Sequence, residues 1–178
     1  MAFLVENQVH ATIFVTGDII TRTTEGQQVI QTVVAHPELF VLANHSYFHP
    51  DFRDLTPAEI AEELQDTEAA IQALGGPDPR PWFRPPFGGY DQEVLDTVGE
   101  LGYAYTVMWD FDSADWRPES DGGPDADGIV SKVLSNARAG SVVIFHLGGY
   151  HTLEALPAIV SALRADGFEL VTLPELLQ

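Results

Sequence analysis

The chain has 178 residues, 45% of them hydrophobic, which is enough to bury an ordinary core and too apolar for intrinsic disorder. Its 27 acidic residues against 8 basic ones give a formal charge of -19, which repels phosphate backbones and anionic lipid heads and excludes nucleic acid and acidic polymers as partners. There is no cysteine, so disulfides and thiolate metal ligands are excluded as well.

The opening stretch, Met1 to Val15, carries Glu6, Asn7 and His10 and lacks a basic start, so no signal peptide is expected there. No run reaches the roughly 20 apolar residues that a bilayer span requires, and a soluble chain is expected. Ala11 to Thr16, closed by Gly17, reads as a short buried strand. Glu25 to Ala35 reads as a helix with Thr24 as N-cap and Pro37 as its stop. Leu39 to Asn44 is the next strand. Thr56, Pro57 and Glu59 form a capping box ahead of a helix whose apolar face is Ile60, Leu64, Ile71 and Leu74, ended by Gly75 and Gly76.

Past the proline-rich segment Pro77 to Pro86, a helix is expected over Val94 to Leu101 and a strand over Tyr103 to Met108. Asp110 to Asp127 is acidic and rich in Gly and Pro, the signature of a long functional loop. Ile129 to Ala137 reads as a helix, Ser141 to Phe145 as a β-branched strand, Leu153 to Ala165 as a helix and Phe168 to Val171 as a last strand. Strand and helix patterns alternate throughout, which predicts an α/β fold with parallel strands in a single domain, residues 1–178. Five or six strands are too few for a closed eight-fold barrel, so the sheet is expected to be open, distorted or incomplete.

Four clusters fall where strands end. His45 and His49 stand four residues apart, a spacing that a local helical turn would turn into two converging nitrogen ligands for a first-row metal. Arg84 lies in Trp82 to Gly88, where proline fixes the backbone and a guanidinium can clamp a carboxylate. Asp112 and Asp115 flank an indole, Trp116, able to wall a pocket. His146 ends the strand Ser141 to Phe145.

Taken in order, these motifs resemble the polysaccharide deacetylases of carbohydrate esterase family four, the NodB homology domain. Ala11 to Gly17 resembles the family's second strand. His45 to His49, Arg84 to Phe87 and Asp112 to Trp116 match three of its motifs, and His146 takes the place of its last histidine, with Ile144 where the family has leucine. The resemblance implies a distorted, incomplete (β/α) barrel and metal-assisted hydrolysis of an N- or O-acetyl group on chitin oligomers, peptidoglycan or xylan. It implies His45 and His49 as ligands of a divalent metal, zinc before cobalt or nickel, and Phe87 as a backbone donor to the developing oxyanion. It gives His146 the role of general acid oriented by Asp115, Trp116 and Ile144 the lining of the acetyl pocket, and Arg84 the holding of the base.

The family opens on a Thr-Phe-Asp-Asp strand that supplies the base and the third ligand, and these 178 residues contain none. A first strand lost by N-terminal truncation is the expected reason, with an exposed sheet edge at which copies would self-associate. On these residues alone hydrolysis is expected to fall by roughly a hundredfold to ten-thousandfold, the worth of a general base. Two rival readings are a catalytically impaired glycan-binding relative and a hydrolase of small non-peptide amides. The resemblance fits a secreted or cell-envelope setting. Asp18, after the first strand, reads as a helix cap before it reads as a substitute ligand. His10, His36 and His151 read as hydrogen-bonded structural residues, and Tyr47, Phe48, Tyr90 and Trp109 as packing rather than sugar stacking.

Overall fold

A computed structural model describes residues 1–178. The fold is α/β with parallel strands throughout, and it divides into two compact units, Met1–Val107 with Val171–Gln178, and Met108–Leu170.

The first unit is built on a four-stranded sheet, β1 (Ala11–Val15), β2 (Phe40–Asn44), β3 (Trp82–Phe83) and β4 (Tyr105–Thr106), in that spatial order. β1 and β2 pair along their full length, from Ala11 opposite Phe40 to Val15 opposite Asn44. Six helices belong to it: α1 (Ala2–Glu6), α2 (Gly17–Arg22), α3 (Thr24–Ala35), α4 (Pro57–Ala73), α5 (Gln92–Glu100) and, numbered last in the chain, α8 (Leu173–Leu176). Ile13 and Val15 of β1 pack with Ile30 and Val33 of α3 and Leu42 of β2 in one core. A second core joins Ile60 and Leu64 of α4 to Phe83, Val94, Val98 and Tyr103.

The second unit pairs β5 (Phe111–Asp112) with β6 (Val143–Ile144) and covers them with α6 (Ala126–Asn136) and α7 (Thr152–Ala165). Ile129 and Val133 of α6 meet Ala155, Ile159 and Leu163 of α7 in its core.

Several elements differ from the sequence reading. α3 is capped by Thr23, whose extended backbone lets its hydroxyl accept the Gly26 N–H, and Thr24 is the first helical residue. Gly17–Arg22 is helical as well, with Asp18 in its first turn and Arg22 in its last, paired at 3.1 Å. The acidic stretch after Asp110 is no continuous loop: Phe111–Asp112 forms a strand, and Asp125 caps α6 by accepting the Gly128 N–H. Phe168 to Val171 forms no ladder. Its Phe168 and Leu170 side chains pack on the α6 and α7 core instead, so their alternation with Glu169 serves a helix pair rather than a sheet.

Candidate active site

In the first unit, β2 runs out at Asn44, and the two histidines follow on a turn rather than a helix. The expected i, i+4 convergence therefore has a different cause. Ser46 and His49 take positive φ angles of 72° and 62°, a region non-glycine residues enter only when surrounding bonds hold them there. Those bonds come from outside the turn as well as within it. The buried Asn44 side chain accepts the Ser46 N–H at 2.9 Å and donates to the Leu64 carbonyl of α4 at 3.1 Å and to the Tyr103 hydroxyl at 2.6 Å. Tyr103 donates onward to Glu68 at 2.8 Å; burial first, then that neighbouring carboxylate, push its phenol well above the ordinary tyrosine range.

Glu63 of α4 accepts two consecutive backbone N–H groups, from Tyr47 at 2.7 Å and Phe48 at 2.8 Å. The Ser46 hydroxyl accepts the His49 N–H at 3.0 Å. Gly17 and Asp18 donate their N–H groups to the Ser46 and Tyr47 carbonyls, both at 3.1 Å. A side chain at Gly17 would collide with the Tyr47 ring at 2.1 Å, so Tyr47 is a packing residue while Phe48 beside it is exposed.

The result brings the His45 and His49 Nε2 atoms to 3.1 Å from each other. The Arg84 carbonyl lies 2.8 Å from His45 Nδ1; a carbonyl can only accept, so Nδ1 carries the proton and, in the neutral ring, Nε2 presents its lone pair. Two zinc-bound nitrogens in a tetrahedral site stand about 3.3 Å apart, given bonds of 2.0–2.1 Å, so the pair suits a divalent ion. The His49 ring also packs edge-on against Phe87, with centroids 4.6 Å apart. Phe87 has a φ of 56°, a side chain in solvent, and a backbone N–H that no carbonyl in the chain accepts.

Arg84 leaves β3 with its N–H bound to the Asn44 carbonyl at 3.1 Å. Its guanidinium donates from Nε to the Val107 carbonyl at 3.1 Å and lies 4.1 Å over the Phe14 ring. Burial draws its pKa down to about 10, still far above neutrality.

In the second unit, Asp115 is fully buried and its carboxylate is saturated by donors. His146 donates from Nδ1 at 2.7 Å and from its backbone at 2.9 Å, and the Thr152 hydroxyl donates at 2.6 Å. Burial alone would raise the Asp115 pKa, but these bonds outweigh it and hold the carboxyl below its ordinary value of 3.8. With Nδ1 so engaged, the 44% exposed imidazole of His146 turns Nε2 to its open side. A Cβ at Gly149 would stand 2.6 Å from both Asp115 and Thr152, so glycine is required for this packing. Ile144 is buried in the β5–β6 ladder opposite Asp112. Trp116 is 53% exposed, and its indole N–H donates to Asp112 at 2.9 Å.

Asp112, Asp115 and His146 place ligand-type atoms within 4.8 Å of one another, a grouping that would admit a metal ion. Their hydrogen bonds argue for a different use. Asp112 already accepts from Ala114 N and Trp116, and Asp115 from His146 twice and Thr152, so the two carboxylates orient an indole and a histidine.

The remaining histidines pair with carboxylates: His10 with Glu175 at 2.9 Å, His36 with Glu38 at 3.2 Å, and His151 with Glu119 at 2.7 Å and Glu154 at 2.9 Å. Asp18 is spoken for by Arg22. Glu63, Thr152 and Gly149 were not visible from the sequence as parts of a site. Glu63 sits among the polar positions of an amphipathic helix, and nothing local marks it off from its neighbour Glu62.

A family model described as polysaccharide deacetylase matches residues 1–106. The chain is 34% identical to a chitooligosaccharide deacetylase of Bradyrhizobium sp. over 97% of its own length and 80% of that protein. It is 30% identical to the uncharacterized protein YlxY of Bacillus subtilis over 99% of its length, and spans 51% of YlxY. Among solved structures it superposes on a pseudoenzyme of carbohydrate esterase family four from Bacillus anthracis with a TM-score of 0.85 at 29% identity, covering 99% of this chain and 58% of that one. A mutant of that pseudoenzyme with restored enzymatic activity gives the same TM-score.

Proposed function

Because this chain belongs to the polysaccharide deacetylase family, we propose that it is a metal-dependent hydrolase that removes N- or O-acetyl groups from a glycan, chitin oligomers, peptidoglycan or xylan. The observation that carries the reading is the histidine pair, with two Nε2 atoms 3.1 Å apart and one ring's tautomer set by the Arg84 carbonyl.

His45 and His49 would hold the ion, with zinc favoured by the all-imidazole pair and cobalt or nickel able to replace it. Such an ion, when bound, supplies Lewis-acid polarisation of the acetyl carbonyl. The Phe87 N–H donates to the oxygen that gains charge in the transition state, which is where a preformed donor accelerates the reaction. His146 delivers a proton from Nε2 to the departing amine or sugar oxygen while Asp115 stabilises the imidazolium at Nδ1. Trp116 and Ile144 present apolar surface to the acetyl methyl, and Arg84 would orient the base that the family's Asp-Asp strand supplies, a motif these 178 residues do not contain. The protein works on residues 1–178 as one deacetylase domain, and no helix in them is long and apolar enough to cross a membrane.

Likeness to a family-four pseudoenzyme favours one rival, a glycan-binding protein with impaired chemistry. The two part on a single assay. Zinc or cobalt added to the chain should release acetate from an acetylated chito-oligomer, and His45→Ala should abolish release. Oligomer binding without acetate at any metal concentration would establish the rival instead.

A further inference from the structure

We propose that Glu63 of α4 is the positioning residue of the histidine pair: by accepting the Tyr47 and Phe48 N–H groups it holds the 45–49 turn in the shape that makes the two rings converge. The role rests on the reading of the pair as a metal site, but its geometry does not.

The turn has no glycine and no helical hydrogen bonds of its own to stabilise it. Two of its residues lie at positive φ, a conformation that costs roughly 1–3 kcal/mol per residue unless neighbouring bonds impose it. Between those two residues stand Tyr47 and Phe48, whose N–H groups point the same way and converge on one carboxylate oxygen, Glu63 Oε2. A charge-assisted bond to a carboxylate is about twice as strong as a neutral one. The outer N–H groups are held by shorter-range acceptors, Asn44 for Ser46 and the Ser46 hydroxyl for His49. Glu63 is thus the one acceptor that ties the middle of the turn to a separate element.

That element is rigid. α4 begins on the Thr56–Glu59 capping box and buries Ile60, Leu64 and Ile71 completely or nearly so. The next residue of the helix, Leu64, also takes the Asn44 amide on its carbonyl, so the helix fixes the turn at its entry and at its centre. Without the carboxylate the two amides would be left to water, the positive φ angles would relax, and His49 would swing away from His45.

The 178-residue wild type, Glu63→Ala, Glu63→Asp and Glu63→Gln are compared by zinc affinity, using the metal alone in competition with a chelating dye. Imidazole 15N spectra are taken on the metal-free chain at mildly alkaline pH, above the ordinary imidazole range. Glu63→Ala should bind zinc about 10–100-fold more weakly, the usual effect of removing a group that orients a ligand. Its His45 and His49 signals should move toward those of independent imidazoles. Glu63→Asp, one methylene short, should lie between and serves if Glu63→Ala does not fold, while Glu63→Gln, which keeps an acceptor oxygen, should recover most of the affinity. Unchanged ring signals in folded Glu63→Ala or Glu63→Asp, or zinc bound by them as tightly as by wild type, would overturn the assignment. Wild type that fails to bind zinc, with ring signals that still respond to Glu63→Ala, would sustain the positioning role and overturn the metal reading alone.

Discussion

His146 and Asp115 make the case for residue-scale chemistry most directly, because one carboxylate oxygen meets Nδ1 at 2.7 Å and the other is shared by a backbone amide and a hydroxyl. Replacing Asp115 by Asn removes the carboxylate acceptor that fixes the Nδ1 proton and permits the wrong tautomer. Acetate release should fall by about a hundredfold to ten-thousandfold, the worth of an acid in its right state. A kcat within a few-fold of wild type would show that His146 is no general acid. The same carboxylate sets an acid limit on stability. Its folded pKa lies below 3.8, so its contribution is present above that value and is lost as pH falls through the lower folded value. Amide exchange around Gly149 and Thr152 should accordingly rise only below about pH 3.8, the ordinary aspartate value. Places in the candidate site were legible for Asp115, Trp116 and His146 because short motifs carry them. They were illegible for Thr152 and Glu63, whose partners lie 37 and 15 or 16 residues away and meet them only after folding.

Among the elements, α4 was readable nearly whole, since its proline, its capping box and its apolar period all agree. It should also be the element whose core is least forgiving. Ile60 is completely buried, and Ile60→Ala should cost about 2–5 kcal/mol, measurable as a lowered urea midpoint. The 45–49 turn was misread as helical because spacing alone carries no information about φ; Ser46 and His49 reach positive values through contacts that no window of sequence contains. The segment Phe168 to Val171 failed for the opposite reason, as a strand-like alternation that two helices consumed. The α7 N-terminus gives another element-scale expectation. His151, at a φ of 57°, joins Glu154 of α7 to Glu119, and the bond from Glu154 first, then Glu119, raises its pKa above the ordinary 6.5. The tie is fully formed below pH 6.5 and is lost as pH rises through the elevated value. Hydrogen exchange corrected for intrinsic rate should therefore show the Glu119–Asp121 turn loosening as pH rises above that range, and His151→Gln should remove the dependence.

At the scale of the molecule, charge and sheet edge oppose each other. β1 pairs with β2 through alternate residues, as the Ala11 N–H and Val15 carbonyl bonds show, so Thr12 and Phe14 direct their backbone groups to the side where no strand pairs. The Leu173 N–H reaches only the Thr12 hydroxyl on that side. A formal charge of -19 opposes association at neutral pH, and that repulsion vanishes near the sequence pI of about 4.3. Light scattering should show association growing toward that pH and reversed by Phe14→Pro, which removes one outward N–H. A chain that stays monomeric at its pI would show the edge to be inert. The parallel α/β class was evident from the alternation of elements, whereas the brevity of β3 to β6 was not, because β-branched runs do not reveal how many residues find a partner.

The backbone of the turn that carries His45 and His49 is bonded to Asn44, Glu63, Gly17 and Asp18, and none of those bonds is made by an imidazole. It is a socket whose form is independent of its contents. Replacing either ring should therefore leave the turn and the fold in place. The same independence makes the socket a place to graft carboxylate ligands for a harder metal, with the backbone already in position.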